Sequence, residues 1–214
     1  MLGVSVSTAH RLLAMLVYRG FAQQRPDRRY AAGDVLRPAA SAEAPVALLR
    51  QVALSPMGRL VRRVQESVNL IVLAGAEARF VATAESSHVL RVGSRAGRTL
   101  PAHLTSGGKV LLADMPPEEV TALFEGDGDV DLPRLRRELG LVRGRGFAIN
   151  DQRTEAGLTA VAVGIRNGDG RCVAAVALAM PSVRFSKEDL PGWVKALRAT
   201  AAEISHDLAE TPGG

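Results

Sequence analysis

The sequence predicts an α+β protein in which a short helix and a hairpin precede a larger domain with a central antiparallel sheet flanked by helices. Three observations predict this class. Amphipathic helical runs alternate with β-rich runs, and short turns rather than helical crossovers join neighbouring β-rich runs. With 47% hydrophobic residues in a chain of 214, the sequence can also bury a sizeable core.

The first predicted element is a helix that ends near Leu16. Its apolar residues recur at helical spacing and are expected to form one buried stripe. Ser5 occupies an N-cap position, and Gly20 follows where a helix would stop. The stripe consists of Val6, Ala9, Leu12, Leu13 and Leu16.

Two short β-like runs follow on either side of the turn dipeptide Pro26-Asp27. Residues 1–40 hold six arginines and two aspartates, so they carry +4 of the net charge of +5. This concentration favours a DNA recognition helix followed by a basic wing, with hydroxyls and arginines on phosphates and base edges. The alternative is the solvated face of a surface helix. The candidate DNA-contacting residues are Ser5, Ser7, Thr8, His10, Arg11, Arg25, Arg28 and Arg29.

A patch of small residues over 38–42 indicates a domain boundary, and two helices are expected after it. The first covers 43–54. Ser55-Pro56 then supplies an N-cap followed by proline at the first helical position, which predicts the start of a second helix. The arginines of that helix are most simply a solvated face.

The larger domain is predicted to begin with a hairpin over 68–74 and 78–84. A helix is expected to follow the loop at Thr105, and a turn at Asn167-Gly168-Asp169-Gly170 joins the last two strands. The remaining strands are predicted at 90–92, 147–149, 159–165 and 171–180, and the remaining helices at 117–124, 131–139 and 187–208.

The composition argues against several classes of protein. A single cysteine, Cys172, excludes an intramolecular disulfide and fits a reducing, cytoplasmic location. No apolar stretch is long enough to span a bilayer, and no secretory signal is present. The four histidines are scattered without metal-ligand spacing, Cys172 has no activating neighbour, and there is no Gly-x-Ser-x-Gly motif. We therefore expect no metal, no cofactor, no membrane partner and no enzymatic activity.

The order of these motifs resembles the IclR family of bacterial transcription regulators. The resemblance rests on the first helix and wing, Pro101-Ala102-His103, Ser106-Gly107-Gly108-Lys109, Arg145-Gly146-Phe147 and Gly157-Leu158-Thr159. It implies a winged helix-turn-helix over 1–40, a helical linker over 41–66 and a GAF-like effector-binding domain over 67–210. In this family such regulators form dimers, often paired into tetramers, and control catabolic operons in response to small organic acids.

The resemblance leaves two functions open. The family's DNA-binding module begins with a full helix and a positioning helix before the recognition helix, whereas this sequence begins with Met1-Leu2-Gly3, at the turn between the positioning helix and the recognition helix. If the start codon was assigned too late, we expect a repressor that binds double-stranded operator DNA as a homodimer or homotetramer. If the truncation is genuine, we expect a stand-alone module for small-molecule binding or dimerisation.

The resemblance also implies an effector site at the turn Thr105-Ser106-Gly107-Gly108. Free N–H groups and the positive end of the following helix favour an anion there, and glycines let a ligand approach, although the glycines can equally relieve packing. Alanines at positions where relatives have polar residues favour a larger, less polar acid, aromatic or branched aliphatic. Asp151 as a turn cap and His103 as a structural histidine are the open alternatives to direct contact. The candidate effector-binding residues are His103, Thr105, Ser106, Gly107, Asn150, Asp151, Leu158, Ala160, Ala177 and Ala179.

Overall fold

The computed structural model describes residues 6–19, 22–24, 29–32 and 37–210. Contacts divide the chain into two units, Met1–Ala47 and Leu48–Gly214. The larger unit contains a six-stranded antiparallel sheet with helices packed on it. The α+β class predicted from the sequence is therefore confirmed.

The smaller unit contains the predicted helix and hairpin. Helix α1 spans Val6–Tyr18, and strand β1, Ala22–Gln24, pairs antiparallel with β2, Tyr30–Ala32. The N-cap predicted at Ser5 and the stop predicted at Gly20 lie outside the described residues.

The apolar stripe of α1 is not buried as the sequence predicted. Leu12 is 51% exposed and Leu16 is 44% exposed, while Ala9 and Leu13 are only partly covered. A helix and a hairpin of three-residue strands offer too little apolar surface to cover such a stripe. The helical periodicity was therefore informative about the element but not about its burial.

Helix α2 spans Arg37–Val64, where the sequence predicted two separate helices. The prediction of a new start at Ser55-Pro56 is wrong because the buried side of the helix continues through this point. Ala53 and Met57 are fully buried on either side of it, and Pro56 is buried as well. Burial of this stretch offsets the missing N–H of a proline inside a helix, a cost of about 3 kcal/mol.

The sheet has the strand order β5-β4-β3-β8-β7-β6, and every neighbouring pair is antiparallel. Two neighbouring strands, β7 and β8, are buried along nearly their whole length, so this part of the sheet is covered on both faces. The strands are β3 (Ser67–Ala74), β4 (Glu77–Ala84), β5 (Thr99–Pro101), β6 (Ala148–Asp151), β7 (Leu158–Arg166) and β8 (Cys172–Pro181).

The strand predicted at 90–92 is absent from the sheet. Leu90 is exposed, and the carbonyl of Val92 accepts a hydrogen bond from the Ser67 hydroxyl (2.6 Å) instead of joining a ladder. The third strand of this part of the sheet is β5, which pairs with β4 at Glu77–Arg79 and was not predicted. Apolar residues alternate at 90–92, but the backbone carbonyls of Leu90 and Val92 accept hydrogen bonds from side chains instead of from a neighbouring strand.

Four helices complete the larger unit. Helix α3 lies over the sheet against β7 and β8, and its buried Leu111 and Leu112 join one core with Phe124 and Leu139. The long C-terminal helix packs against β7 and β8 as well. The helices are α3 (Ser106–Asp114), α4 (Pro117–Leu123), α5 (Leu132–Arg145) and α6 (Leu190–Glu210).

Candidate functional site

A small cavity lies between the start of α3 and the sheet. Its volume is about 20 Å³, which is room for one water molecule and not for an organic acid. Seven of the ten residues predicted for the effector site line it. The full lining is Asn69, Ile71, Phe80, Arg95, Leu100, Thr105, Ser106, Asn150, Thr154, Leu158, Ala160, Ala177 and Ala179.

Helix α3 presents a polar end to this cavity. Thr105 is its N-cap: the Thr105 hydroxyl accepts from the N–H of Gly108 (2.9 Å), and its carbonyl accepts from the N–H of Lys109 (3.0 Å). The N–H groups of Ser106 and Gly107 have no acceptor among the residues that the structure describes. Because N–H groups in a first helical turn carry partial positive charge, this end favours an anion.

The two glycines of the turn are explained by packing. A Cβ on Gly107 would lie 2.5 Å from the Cδ1 atom of Ile71, and one on Gly108 would lie 2.3 Å from the carbonyl oxygen of Ala102. The absence of a side chain at Gly107 therefore lets α3 approach Ile71 of the sheet, and its absence at Gly108 lets the helix begin close to Ala102. Gly107 lies against the sheet rather than in the lining of the cavity, so only its backbone N–H bears on an anion at the helix end.

The side of the cavity formed by the sheet is built from one face of three adjacent strands. Asn69 on β3 lies opposite Ala177 on β8, and Ala160 on β7 lies opposite Ala179. Alternate residues of a strand share a face, so the register brings these short side chains together beneath α3. Leu158, Ala160 and Ala179 also belong to a small buried cluster with Val92.

Asn150 and Asp151, which were both predicted to contact the effector, lie on opposite faces of β6. Asn150 lines the cavity, where its amide donates to the Thr154 hydroxyl (2.8 Å) and its carbonyl oxygen accepts from the N–H of Arg153 (2.9 Å). Asp151 is exposed and lies in a separate cleft with Lys109 and Glu138. The period of two in a strand separates neighbouring residues in this way.

The cleft on that side is organised by a buried lysine. The Nζ atom of Lys109 lies 2.6 Å from a carboxylate oxygen of Glu138 and is nearly inaccessible to solvent. Partial burial is the largest single influence on Glu138 and opposes its ionisation, but the hydrogen bonds and charges of Lys109, Arg134 and Arg153 together outweigh it and lower the pKa of the carboxyl. Lys109 therefore anchors α3 to α5 and does not reach the cavity.

His103 also lies outside the cavity. Its ring meets the ring of Phe124 edge to face, with 5.6 Å between centroids, and its buried Nδ1 atom has no hydrogen-bond partner in the described part of the chain. Burial lowers the pKa of the imidazole, as do the nearby cations Arg153 and Lys109, although Asp127 acts in the opposite direction. The hydrogen-bonded histidine considered from the sequence is thus not observed at Nδ1.

The charged residue in the cavity, Arg95, was not predicted. Its Nη1 and Nη2 atoms donate to the two carboxylate oxygens of Glu155 at 2.8 and 2.6 Å. That hydrogen bonding lowers the pKa of Glu155, against the opposing effect of partial burial. Arg95 lies in a loop, and Glu155 is 60 residues away in another loop, so no local pattern could have revealed the pair.

The DNA-contacting candidates belong to the smaller unit. Arg11 lies on α1 with an exposed side chain, and Arg29 is exposed just before β2. Ser7, Thr8 and His10 lie within α1. Ser5, Arg25 and Arg28 fall outside the described residues.

Metal-ligating side chains and the single cysteine are the possible reactive groups among the described residues of the larger unit. Among the described residues, no three His, Cys, Asp or Glu side chains are grouped to hold a metal ion. Burial, together with the charge of Asp114, raises the pKa of the Cys172 thiol to about 11, far from that of a nucleophilic thiolate. None of the described helices has the length and apolar character needed to cross a bilayer.

Comparison with known proteins gives matches along nearly the whole chain. The family described as bacterial transcriptional regulator IclR C-terminal matches residues 44–206, and the IclR helix-turn-helix domain matches residues 1–26. The chain is 29% identical over 217 residues to the HTH-type transcriptional regulator XynR of Escherichia coli strain K12, covering 97% of this chain and 86% of XynR. It is 30% identical over 164 residues to the HTH-type transcriptional repressor AllR of Klebsiella pneumoniae, covering 73% of this chain and 60% of AllR.

A solved structure extends this similarity to the fold. The structure of an IclR homologue from Microbacterium hydrocarbonoxydans, complexed with 4-hydroxybenzoate, matches with a TM-score of 0.69 and 31% identity. The match covers 96% of this chain and 86% of that one.

Proposed function

Because the chain belongs to the IclR family of bacterial transcriptional regulators, and so has an effector-binding domain, we propose that it is a repressor released from its operator by a small organic acid. Residues 1–40 bind the operator, 41–66 link the domains, and 67–210 bind the effector. Its relative AllR is a transcriptional repressor, which supports the proposed sign of regulation.

DNA binding in this proposal depends on two copies of the chain. A dimer places two recognition helices in successive major grooves, so the operator is expected to be pseudo-palindromic. The N-terminal charge of +4 supports contact with phosphates, and the exposed Arg11 supports contact with bases or backbone. A dimer or tetramer in light scattering is the expected assembly.

The observation that carries the effector proposal is the cavity at the start of α3. One end offers N–H groups that no described residue accepts from, and the other offers a surface of alanines and Leu158. A helix end favours a negative charge, and small apolar side chains leave space without hydrogen-bond donors. This combination fits an acid with an aromatic or branched apolar part, as in the 4-hydroxybenzoate bound by the Microbacterium relative.

A cavity of about 20 Å³ must enlarge before such an acid can enter. The enlargement gives the effector a means of acting, because a ligand shifts a conformational equilibrium only by its preference for one state over the other. In our proposal the open state is the one that releases the operator.

A thermal-shift screen of aromatic and branched carboxylic acids tests this function. A cognate acid at a hundredfold excess over its Kd should stabilise the protein by about 2.7 kcal/mol, and the same acid should release operator DNA in a gel shift. Ala177→Leu fills the cavity and should abolish the shift in a variant that circular dichroism shows to be folded. Ala122→Leu, at an exposed position on α4, is the matched control and should respond as the wild type does.

Two results would contradict the proposal. If acids that bind the wild type keep full affinity for folded Ala177→Leu, the effector lies elsewhere. If a binding acid strengthens or leaves unchanged the complex with operator DNA, the protein is not a repressor of the proposed kind.

A further inference from the structure

Arg95 is the one charged residue in the cavity lining, as far as the described residues go. Its side chain is only 8% exposed, and Glu155 holds both of its terminal nitrogens. The Glu155 side chain is 43% exposed. The cation therefore lies in the lining of the cavity, while its counter-ion lies outside that lining and is partly exposed.

The backbone around Arg95 is firmly attached to the sheet. The N–H of Arg95 donates to the Thr83 hydroxyl (3.0 Å), which donates to the side-chain oxygen of Asn69 on β3 (2.8 Å). The carbonyl of Arg95 accepts from the N–H of Arg98 (3.0 Å). The backbone that carries the Arg95 guanidinium is thus held in place by hydrogen bonds that do not involve Glu155.

Glu155 belongs to a turn whose backbone hydrogen bonds are formed within the turn. The turn joins β6 to β7, and within it the N–H of Gln152 donates to Leu158 and the N–H of Leu158 donates to Glu155 (2.9 and 3.3 Å). These bonds involve the backbone of the turn only. The Glu155 side chain can therefore rotate away from Arg95 without breaking a hydrogen bond of the sheet.

We propose that Glu155 occupies the position of the effector's acidic group, and that the effector binds by replacing the Glu155 carboxylate on Arg95. This inference rests on the proposed function and assigns the main contact with the acid's carboxylate to Arg95, while the start of α3, which lines the same cavity, adds partial positive charge. Arg95 is then the residue that selects anions, and Glu155 is an internal competitor that holds the cavity closed in the absence of effector.

The chemistry of the exchange is balanced. One carboxylate replaces another, so the charge of the site and the two-pronged hydrogen bonding of the guanidinium are retained. The displaced carboxylate returns to water readily, because it is already partly exposed. A buried arginine without any partner is strongly disfavoured, so the closed state needs Glu155 until an external acid takes its place.

Chemical rescue of Glu155→Ala tests the exchange without knowledge of the natural effector. We expect this variant to melt at a lower temperature than the wild type, and acetate to restore its melting temperature in a dose-dependent way. Acetamide, which is neutral and of similar shape, should not. Arg95→Met/Glu155→Ala should lose the response to acetate. Glu85→Ala breaks an exposed Arg91–Glu85 pair (2.9 Å) and serves as the matched control.

A second measurement uses the acids that stabilise the wild type in the thermal-shift screen. Glu155→Gln removes the competing charge and should bind them about tenfold or more tightly, because a competitor that occupies the site lowers apparent affinity by the fraction of sites that remain open. Arg95→Met should lose measurable binding. Glu155→Gln also replaces Glu155→Ala in the acetate experiment if the alanine variant does not fold.

The outcomes separate this inference from the function on which it rests. If acids bind the wild type but Glu155→Gln binds them no better, or if acetate affects Glu155→Ala no more than Glu85→Ala, the exchange is wrong and the proposed function stands. If no acid binds the wild type while acetate still rescues Glu155→Ala, the anion position stands and the proposed effector class is wrong.

Discussion

The two units of the chain place leucines of similar helices in opposite environments. Leu12 on α1 is 51% exposed, whereas Leu112 on α3 is completely buried. Both belong to helices with regularly spaced apolar residues, so periodicity alone does not explain the difference. The larger unit supplies a six-stranded sheet as a second layer, and the smaller unit supplies a two-stranded hairpin.

The same contrast holds for charged residues. In the larger unit, buried charges have partners inside the fold, as Lys109 has in Glu138 and Arg95 has in Glu155. In the smaller unit, the Arg11 side chain is exposed. The larger unit thus pairs these buried charges internally, whereas the smaller unit exposes Leu12 and Arg11.

The largest effect expected from this contrast is on stability. Leu112→Ala should lower the free energy of unfolding by about 2–5 kcal/mol, because it leaves a cavity in the core. The same substitution at Leu12 should change it by about 0.5 kcal/mol or less. Urea unfolding of both variants, followed by circular dichroism, measures the difference.

The contrast between the two units is wrong if Leu12→Ala and Leu112→Ala lower the free energy of unfolding equally. A large loss for Leu12→Ala would mean that the stripe of α1 is covered in solution, and concentration dependence of that loss would identify a second copy of the chain as the cover. A small loss for Leu112→Ala would mean that the core of the larger unit collapses around the missing side chain.

An intermediate effect is expected on DNA binding. Arg11→Ala should weaken the complex with a selected pseudo-palindromic operator by about 1–3 kcal/mol if its guanidinium binds a base edge with two hydrogen bonds. Arg19→Ala, which removes an exposed charge just beyond the C-terminal end of α1, is the matched control. Fluorescence anisotropy at several salt concentrations measures both.

The acid-induced thermal shift of Arg11→Ala shows whether a change in the DNA-binding unit affects the effector-binding unit. Arg11→Ala should leave the acid-induced thermal shift unchanged, since Arg11 contributes nothing to the cavity lining. Equal losses for Arg11→Ala and Arg19→Ala, without any change in operator preference, would reduce the role of Arg11 to general attraction of phosphates.

Much of the fold of the larger unit could be predicted because its patterns are local. A loop at Thr105 before an apolar run indicated the start of α3, and β-rich apolar runs indicated β7 and β8. The period of two in a strand could have excluded Asp151 once Asn150 was placed in the cavity. That signal was present in the sequence and was not used.

Other features could not be predicted because they depend on contacts between distant residues. Arg95 meets Glu155 only when two loops meet, and neither residue belongs to a periodic element. Pro56 continues a helix because its neighbours are buried by the rest of the larger unit, which outweighs its own preference for a helix start. The exposure of Leu12 likewise depends on what surrounds the helix.

The smallest predicted effect concerns acid stability, and it tests whether the larger unit depends on its internal ion pairs. Asp114 accepts hydrogen bonds from Arg166 (2.7 Å) and from the N–H of Cys172 (2.9 Å). Partial burial works against ionisation, but these bonds outweigh it and lower the pKa of the carboxyl. We expect Asp114→Asn to cost about 0.5–1 kcal/mol near neutral pH, as partly exposed pairs do.

The pH dependence of this loss tests whether the negative charge of Asp114 is its cause. A carboxyl whose pKa is lowered by folding stabilises the native state above its unfolded pKa of about 3.9, and that contribution disappears as the pH falls below this value. The difference between wild type and Asp114→Asn should therefore be complete at pH 6 and shrink as the pH falls below about 4. Glu125→Gln removes an exposed carboxylate without an ion pair in the described part of the chain and serves as the matched control. A difference for Asp114→Asn that is constant from pH 6 to pH 3 would mean that the shape of the side chain matters there and its charge does not.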